Sequence, residues 1–260
     1  MSLSFWLGRS SAEGSLEIEA AGIRVLTSCS SVSAVSAAAH RLSGLEKPVR
    51  LSVLLCPATR ATAHRATARS LLESVGRPIR VLHDGKLADR AGWRESRAFL
   101  WSGTGRRAHG RLSESADALH LPQIWPSLRQ IDFYVDVRMA GLRLALDLAA
   151  RMEPVRKVVA SCLPAGIVLC RMLGRNAGGI QFEIEGADGR TVTIALHARQ
   201  RSYLVAIAPA VLAVRALAQG RFEPSGLVPP DRQVEPRELL QYLGGLGVDL
   251  VTVRHGRPER

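Results

Sequence analysis

The segment Cys56-Pro57-Ala58-Thr59-Arg60-Ala61-Thr62-Ala63-His64-Arg65-Ala66-Thr67 sets two guanidinium groups and an imidazole where a strand gives way to a helix. Loops at strand ends are held by a rigid scaffold and often face a ligand. A guanidinium offers paired N–H donors that match a carboxylate or a phosphate. The chemistry on offer is recognition of an anion; the plain alternative is a solvated basic loop. A second pair of arginines stands in Gly103-Thr104-Gly105-Arg106-Arg107-Ala108, which formally satisfies the G-x-G-x-x-A pattern of a dinucleotide loop. That pattern works by bringing a helix N-terminus up to a pyrophosphate. Here His109-Gly110-Arg111 follows instead of an apolar helix, so the segment reads as a turn whose Arg106 and Arg107 meet an anionic or carboxylate group. Tyr203 heads the apolar stretch 204–208. A phenol there can donate a proton or orient a substrate, or it is a core tyrosine with one polar end. Asp132 and Asp136 share a strand face with Tyr134 and read as strand-surface carboxylates, while Gly76-Arg77-Pro78 with Trp93 reads as a packing turn.

Other chemistries lack their residues. The chain has no G-x-S-x-G, no Walker loop, no H-E-x-x-H and no carboxylate-rich metal box. Its four cysteines, Cys29, Cys56, Cys162 and Cys170, form no C-x-x-C pair, which argues against structural zinc and a disulfide framework and for buried free thiols in a reducing compartment.

The elements that must position these groups follow from periodicity and breakers. Val49–Leu55, Ile79–Leu82, Leu87–Arg90, Ser96–Trp101, Ile131–Val137, Ile180–Glu185, Thr191–His197 and Val248–Val253 read as strands. Asp84-Gly85 and Gly186-Ala187-Asp188-Gly189 are hairpin turns, because glycine after aspartate supplies the positive φ such turns need. Helices are expected over Val32–Leu42, with the preceding serines as N-caps, and over Ala66–Val75, Leu142–Met152, Val155–Leu173 (broken near Pro164-Ala165-Gly166), Pro209–Ala218 with proline at its first position, and Pro236–Leu243. Leu16–Ala21 reads as a helix end, Ile23–Thr27 as a short strand, and 102–127 as a long connection. Strands and helices mixed with hairpins predict an α+β (α/β) fold: a mixed, largely antiparallel sheet with helices on one face, preceded by one βα step.

Composition bounds the function. At 260 residues, 47% hydrophobic and 22% charged, the chain is ordinary globular material, enough for one large domain or two modest ones. The net charge of +12 comes almost wholly from arginines spread along the chain, and aromatics are few. Without a basic stripe or a stacking platform this argues against nucleic acid and for an anionic small molecule. No basic region precedes the apolar patch near the N-terminus, and no apolar run approaches the ~18 residues of a membrane span. The reading is cytoplasmic, with no membrane partner.

Several segments, taken in order, resemble the bacterial saccharopine-dehydrogenase-like proteins. They are Ala21-Gly22-Ile23-Arg24-Val25 with Ser30-Ser31-Val32, Arg60 to Thr67, Gly76-Arg77-Pro78-Ile79-Arg80 with Asp84-Gly85, Gly92-Trp93, the Gly103–Gly110 loop, Leu121-Pro122, Gly178-Gly179 and the Arg221–Pro230 tail. The chain departs from the family pattern at Thr62 and His64, where proline and glycine are expected. The resemblance implies an NAD(P)-dependent oxidoreductase in which a Rossmann domain binds the dinucleotide. A second, α+β domain covers the cofactor, holds the substrate and pairs two subunits. On that likeness residues 1–31 are a leader and the remnant of the Rossmann domain, and 32–260 are the substrate-binding and dimerisation domain, incomplete for catalysis alone. Ser30, Ser31, Arg60, Arg65, Arg106 and Arg107 would line the cleft and hold a carboxylate, with Tyr203 assisting proton transfer. The alternative is a non-catalytic interaction domain that dimerises or docks on a separate nucleotide-binding chain, with an apolar strip around Ile23–Val35.

Overall fold

A strand buried on one face writes its apolar residues at every second position, and the central strands of this protein do so. The computed structural model describes residues 24–26, 32–102 and 104–255. In β2 (Pro48–Cys56) Leu51 and Val53 point one way, in β7 (Gln130–Val135) Ile131, Phe133 and Val135, in β8 (Gly178–Gly186) Ile180, Phe182 and Ile184, and in β9 (Thr191–Ala198) Val192, Ile194 and Leu196; all belong to one hydrophobic cluster. That face is covered by α1 (Ser33–Ser43), α4 (Asp117–Ile124), α5 (Ala140–Arg151), α8 (Leu204–Ala218) and α9 (Pro236–Gly245), through Val35, Leu121, Leu146, Leu212 and Leu239 among others.

The sheet has nine strands, ordered β11–β9–β8–β2–β7–β3–β4, where β3 is Pro78–His83, β4 Lys86–Ala91 and β11 Val248–His255. The hairpin of β5 (Ser96–Trp101) and β6 (Arg106–Ser113) joins beside the end of β7. Within this sheet only β2 and β7 are parallel, in register from Arg50↔Gln130 to Leu55↔Val135. The expected α+β class, largely antiparallel with helices on one face, is what the chain adopts. A separate short pair, β1 (Arg24–Leu26) and β10 (Gly226–Val228), runs parallel outside the main sheet and packs with Phe222 on the end of α8.

The second face of the sheet is covered by its own hairpin. β6 enters next to β7, yet Gln181 Nε2 on β8 donates to the Leu100 carbonyl at 3.1 Å, Arg97 meets Glu183 at 2.5 Å, and Trp101 lies edge-on to His197 of β9 with centroids 6.1 Å apart. The hairpin therefore crosses back over β2. Gly110 lets it press flat, since a Cβ there would stand 2.5 Å from Tyr134 Cβ and 3.0 Å from Leu54 Cδ1. Phe99, Trp101, Ala108 and Leu112 close a second cluster with Leu54, Cys56, Ile79, Val81 and Tyr134.

Several expectations need correction. The long connection 102–127 contains β6 and α4; the inward positions of β6 include Ala108 and Gly110, too small to register as an apolar alternation, and Pro122 sits inside α4. Helix α8 begins at Leu204 rather than Pro209, because Val205 and Ala208 bury there and supply the helical stripe. The break in 153–173 falls at Cys162, between α6 (Glu153–Ser161) and α7 (Leu163–Leu173), which puts Pro164 in a first turn where a missing N–H costs nothing. The N-cap position of helix α1 is Val32 and not a serine. Instead the hydroxyls of Ser33 and Ser36 donate to the buried carboxylate of Asp117 at 2.5 and 2.7 Å, which pins α4 to the start of α1. Both hairpin turns form as expected, with Asp84 at φ 50° and Gly85 at 76°. The helix end over Leu16–Ala21, Cys29, and Ser30 and Ser31 lie outside the described residues.

Candidate functional site

Parallel strands end side by side, so the loops that follow them gather side chains at one edge, the usual place for a ligand in sheets of this kind. Here that edge is the carboxyl end of β2 and β7. Just past Val135, Asp136 is 6% exposed and not on the surface as its alternation suggested. Its Oδ2 accepts the His109 N–H at 3.1 Å and its Oδ1 the Arg138 N–H at 2.9 Å. Arg138 has a left-handed backbone, φ 51°. Its Nη2 donates to the Pro57 carbonyl at 3.3 Å and, more closely, to that of Ala177. Its Nε is buried with no partner among the described residues. One guanidinium thus ties the end of β2 to the approach to β8 and keeps a donor unused.

Around it stand Cys56 and His197. Burial pushes the Cys56 thiol up to about 12, against the opposing pull of Arg138, so it is no thiolate nucleophile at neutral pH. Burial lowers the His197 pKa, helped by the positive charges of Arg138 and Arg199, which favours the neutral imidazole beneath Trp101. At Gly178 the start of β8 meets the end of β2 and the start of α8: a Cβ there would lie 2.7 Å from the Cys56 carbonyl oxygen and 2.8 Å from Ala58 N, and closer still to Ser202 Oγ.

Two of the residues expected to line a site reach this rim. Tyr203 follows Ser202 as the N-cap of α8 and is 40% exposed, which rules out the core-tyrosine reading. Arg60 lies in the short helix α2 (Thr59–Thr62), exposed at its head while Nη2 donates to the Met172 carbonyl at 2.6 Å. Its neighbour Thr59 accepts the Arg175 N–H at 2.9 Å, and Arg171 Nε donates to Ala63 O at 3.0 Å. The loop after β2 is therefore fastened to the end of α7, neither free nor merely solvated. Arg65 begins α3 (Arg65–Ser74) and is exposed. Arg106 and Arg107 open β6, opposite Trp101 and Leu100, rather than lying in the turn itself. Nothing described places these three against Arg138. Sequence reasoning missed Arg138 and His197: one is marked only by its backbone angle, the other by its place at the end of an ordinary alternation.

Anion recognition is what this edge can do. Arg60, Arg138, Arg171, Arg175, Arg199 and Arg201 are gathered on the segments that meet there, and Asp136 is held by two backbone donors. Among the described residues no cluster of histidine, cysteine and carboxylate could hold a metal ion. A cavity of about 230 Å³ lies elsewhere, lined by Leu212, Phe222, Glu223, Arg232 and Glu238, and includes none of the candidate site residues. Two more thiols are free: Cys170, half-buried, and Cys162, exposed and not buried as expected.

No family model matches the sequence, and no curated protein matches it by sequence. Among solved structures the fold is similar to apo saccharopine dehydrogenase (L-Glu forming) from Saccharomyces cerevisiae, with a TM-score of 0.55 at 12% identity, covering 96% of this chain and 79% of that one. The likeness is one of fold alone.

Proposed function

We propose that this chain is the substrate-holding part of a saccharopine-dehydrogenase-like oxidoreductase, and that the edge at β2 and β7 binds a small carboxylate. The observation that carries this is Arg138: a half-buried guanidinium whose Nε is buried and unpartnered among the described residues, held by the carbonyls of Pro57 and Ala177. Arg60 and Tyr203 at the rim supply a second cation and a phenol that can orient the ligand. The neighbouring fold's name makes L-glutamate the natural probe.

The Arg106-Arg107 segment does not fit a dinucleotide loop. The turn after β5 leads into strand β6, whereas a pyrophosphate needs a glycine turn leading into a helix N-terminus. NAD or NADP belongs to the family reading, and its binding fold would come from residues or a chain outside those described. A homodimer belongs to the same reading. The second reading, a non-catalytic interaction domain, expects an exposed apolar strip around Ile23–Val35, whereas Ala34 and Val35 are buried in the core.

Calorimetric titration with L-glutamate tests the proposal. Saturable binding is expected, weakened about tenfold by Arg60→Ala with an unchanged circular dichroism spectrum, the equivalent of one charge-assisted hydrogen bond. NADPH should give no saturable heat. Absence of saturable L-glutamate binding, or binding indifferent to Arg60, would remove the carboxylate reading; saturable NADPH binding would remove the statement on the dinucleotide.

A further inference from the structure

Helices α6 and α7 carry the chain from Glu153 to Leu173 without one buried residue. Helix α7 packs on α2 and α3 and is two-sided. Leu163, Ile167 and Cys170 are half-buried, whereas Ala165, Val168, Leu169, Met172 and Leu173 are exposed. The exposed set falls at i, i+3, i+4, i+7 and i+8, one continuous face of a helix. Met172 and Leu173 are each 66% exposed. Val158 of α6 and Leu144 and Met152 beside it are also bare. A contiguous aliphatic face left in water marks an interaction surface.

The surroundings select its occupant. Residues 140–175 hold six arginines and lysines against Asp147 and Glu153, and these two carboxylates are paired with Arg111 and Arg156. A second copy docking face to face would bring those cations together, while an anionic surface neutralises them. The same residues include no Phe, Trp or Tyr, although protein interfaces concentrate their energy in such anchors. Leu, Val and Met without an aromatic suit acyl chains. At about 1.5 Å per residue the eleven residues of α7 reach roughly half of a ~30 Å hydrocarbon core. Among the described residues no helix is long and apolar enough to cross a membrane, so α7 would lie in the surface and not span it.

We propose that the outward face of α7 seats in the headgroup–acyl boundary of an anionic lipid membrane, with the exposed Lys157 among the contacts to the headgroups. The expectation of no membrane partner rested on the absence of a span, which this mode does not need. None of the outward side chains of α7 is among the residues of the carboxylate reading, although Arg171 and Arg175 are near both.

Co-sedimentation of the full chain with vesicles tests it, using phosphatidylcholine alone and phosphatidylcholine with about one-third phosphatidylglycerol. The protein should partition onto the anionic vesicles. Leu169→Gln/Leu173→Gln, checked for an unchanged circular dichroism spectrum, should lower the partition coefficient at least about tenfold. Lys157→Gln should lower it on anionic vesicles only. Three outcomes would overturn the proposal: no partition onto anionic vesicles, equal partition of wild type and the leucine variant, or self-association of the wild type that the leucine variant abolishes, which would assign the face to a second copy. Should the leucine variant misfold, Met172→Gln alone serves as the lipid-face variant, with the same expected direction and the same refuting results.

Discussion

Gly178→Ala is the smallest change that tests how the candidate site is assembled. The added methyl would stand 2.7 Å from the Cys56 carbonyl oxygen and 2.8 Å from Ala58 N, with Ser202 Oγ nearer still. A serine side chain can rotate away. The two backbone atoms cannot, because Cys56 ends the central strand β2, where it pairs with Gly179. Relief therefore requires the start of β8 to move off β2, and overpacking of this kind costs about 1–3 kcal/mol. For a protein of this size that lowers the melting temperature by roughly 3–10 °C. Calorimetry and urea denaturation of the variant measure it. A cycle with Ser202→Ala then separates the two contributions: removing the hydroxyl should recover part of the loss, and the backbone clash should keep the remainder. The same displacement would shift Ala177, whose carbonyl holds Arg138, so L-glutamate binding should weaken along with stability. If Gly178→Ala melts within about 1 °C of the wild type, or if Ser202→Ala restores all of the loss, the three elements do not meet as described.

Asp117 tests a second junction, between α1 and α4. Asp117→Ala removes the acceptor of two buried hydroxyls, at about 1–3 kcal/mol each, whereas Asp117→Asn keeps an acceptor and should be far milder in chemical denaturation. Burial raises the Asp117 pKa above its ordinary 3.8, with the serine hydrogen bonds opposing. The folded state thus holds this proton more tightly than the unfolded state. The stability so gained is fully present below pH ~3.8 and is lost as pH rises through the folded value. Wild type should accordingly lose ground to Asp117→Asn on going from acid to neutral pH, and a constant difference would contradict the buried, proton-favouring environment. Of the thiols, Cys162 should alkylate quickly in the native protein and Cys56 only after unfolding, a contrast that peptide mapping by mass spectrometry reads directly.

The parts of this fold that sequence reasoning reached are those where each residue's local preference agrees with its final place. Asp84-Gly85 makes a hairpin in any context that pairs 78–83 with 86–91, and β2, β7, β8 and β9 each announce a buried face through alternation. What it missed depends on partners distant in the chain. Asp132 and Asp136 look like solvent-facing strand residues because nothing nearby says that a hairpin some 30 residues upstream will fold back over them. Under that cover Asp132 accepts from Gln130 Nε2 at 2.6 Å and burial raises its pKa, while the Tyr134 hydroxyl is pushed up to about 12.

The same reasoning explains why the arginines were legible only as a type. Arg60, Arg65, Arg106 and Arg107 stand out because loops and glycines surround them. The guanidinium best placed to bind, Arg138, is one of many in a chain rich in arginine, and only the parallel pairing of β2 with β7 brings it between the carbonyls of Pro57 and Ala177. An anion site built on strand ends is a property of topology more than of any motif. The strongest residue of such a proposed site need carry no local signature, and a search for loop arginines would find its rim before its floor.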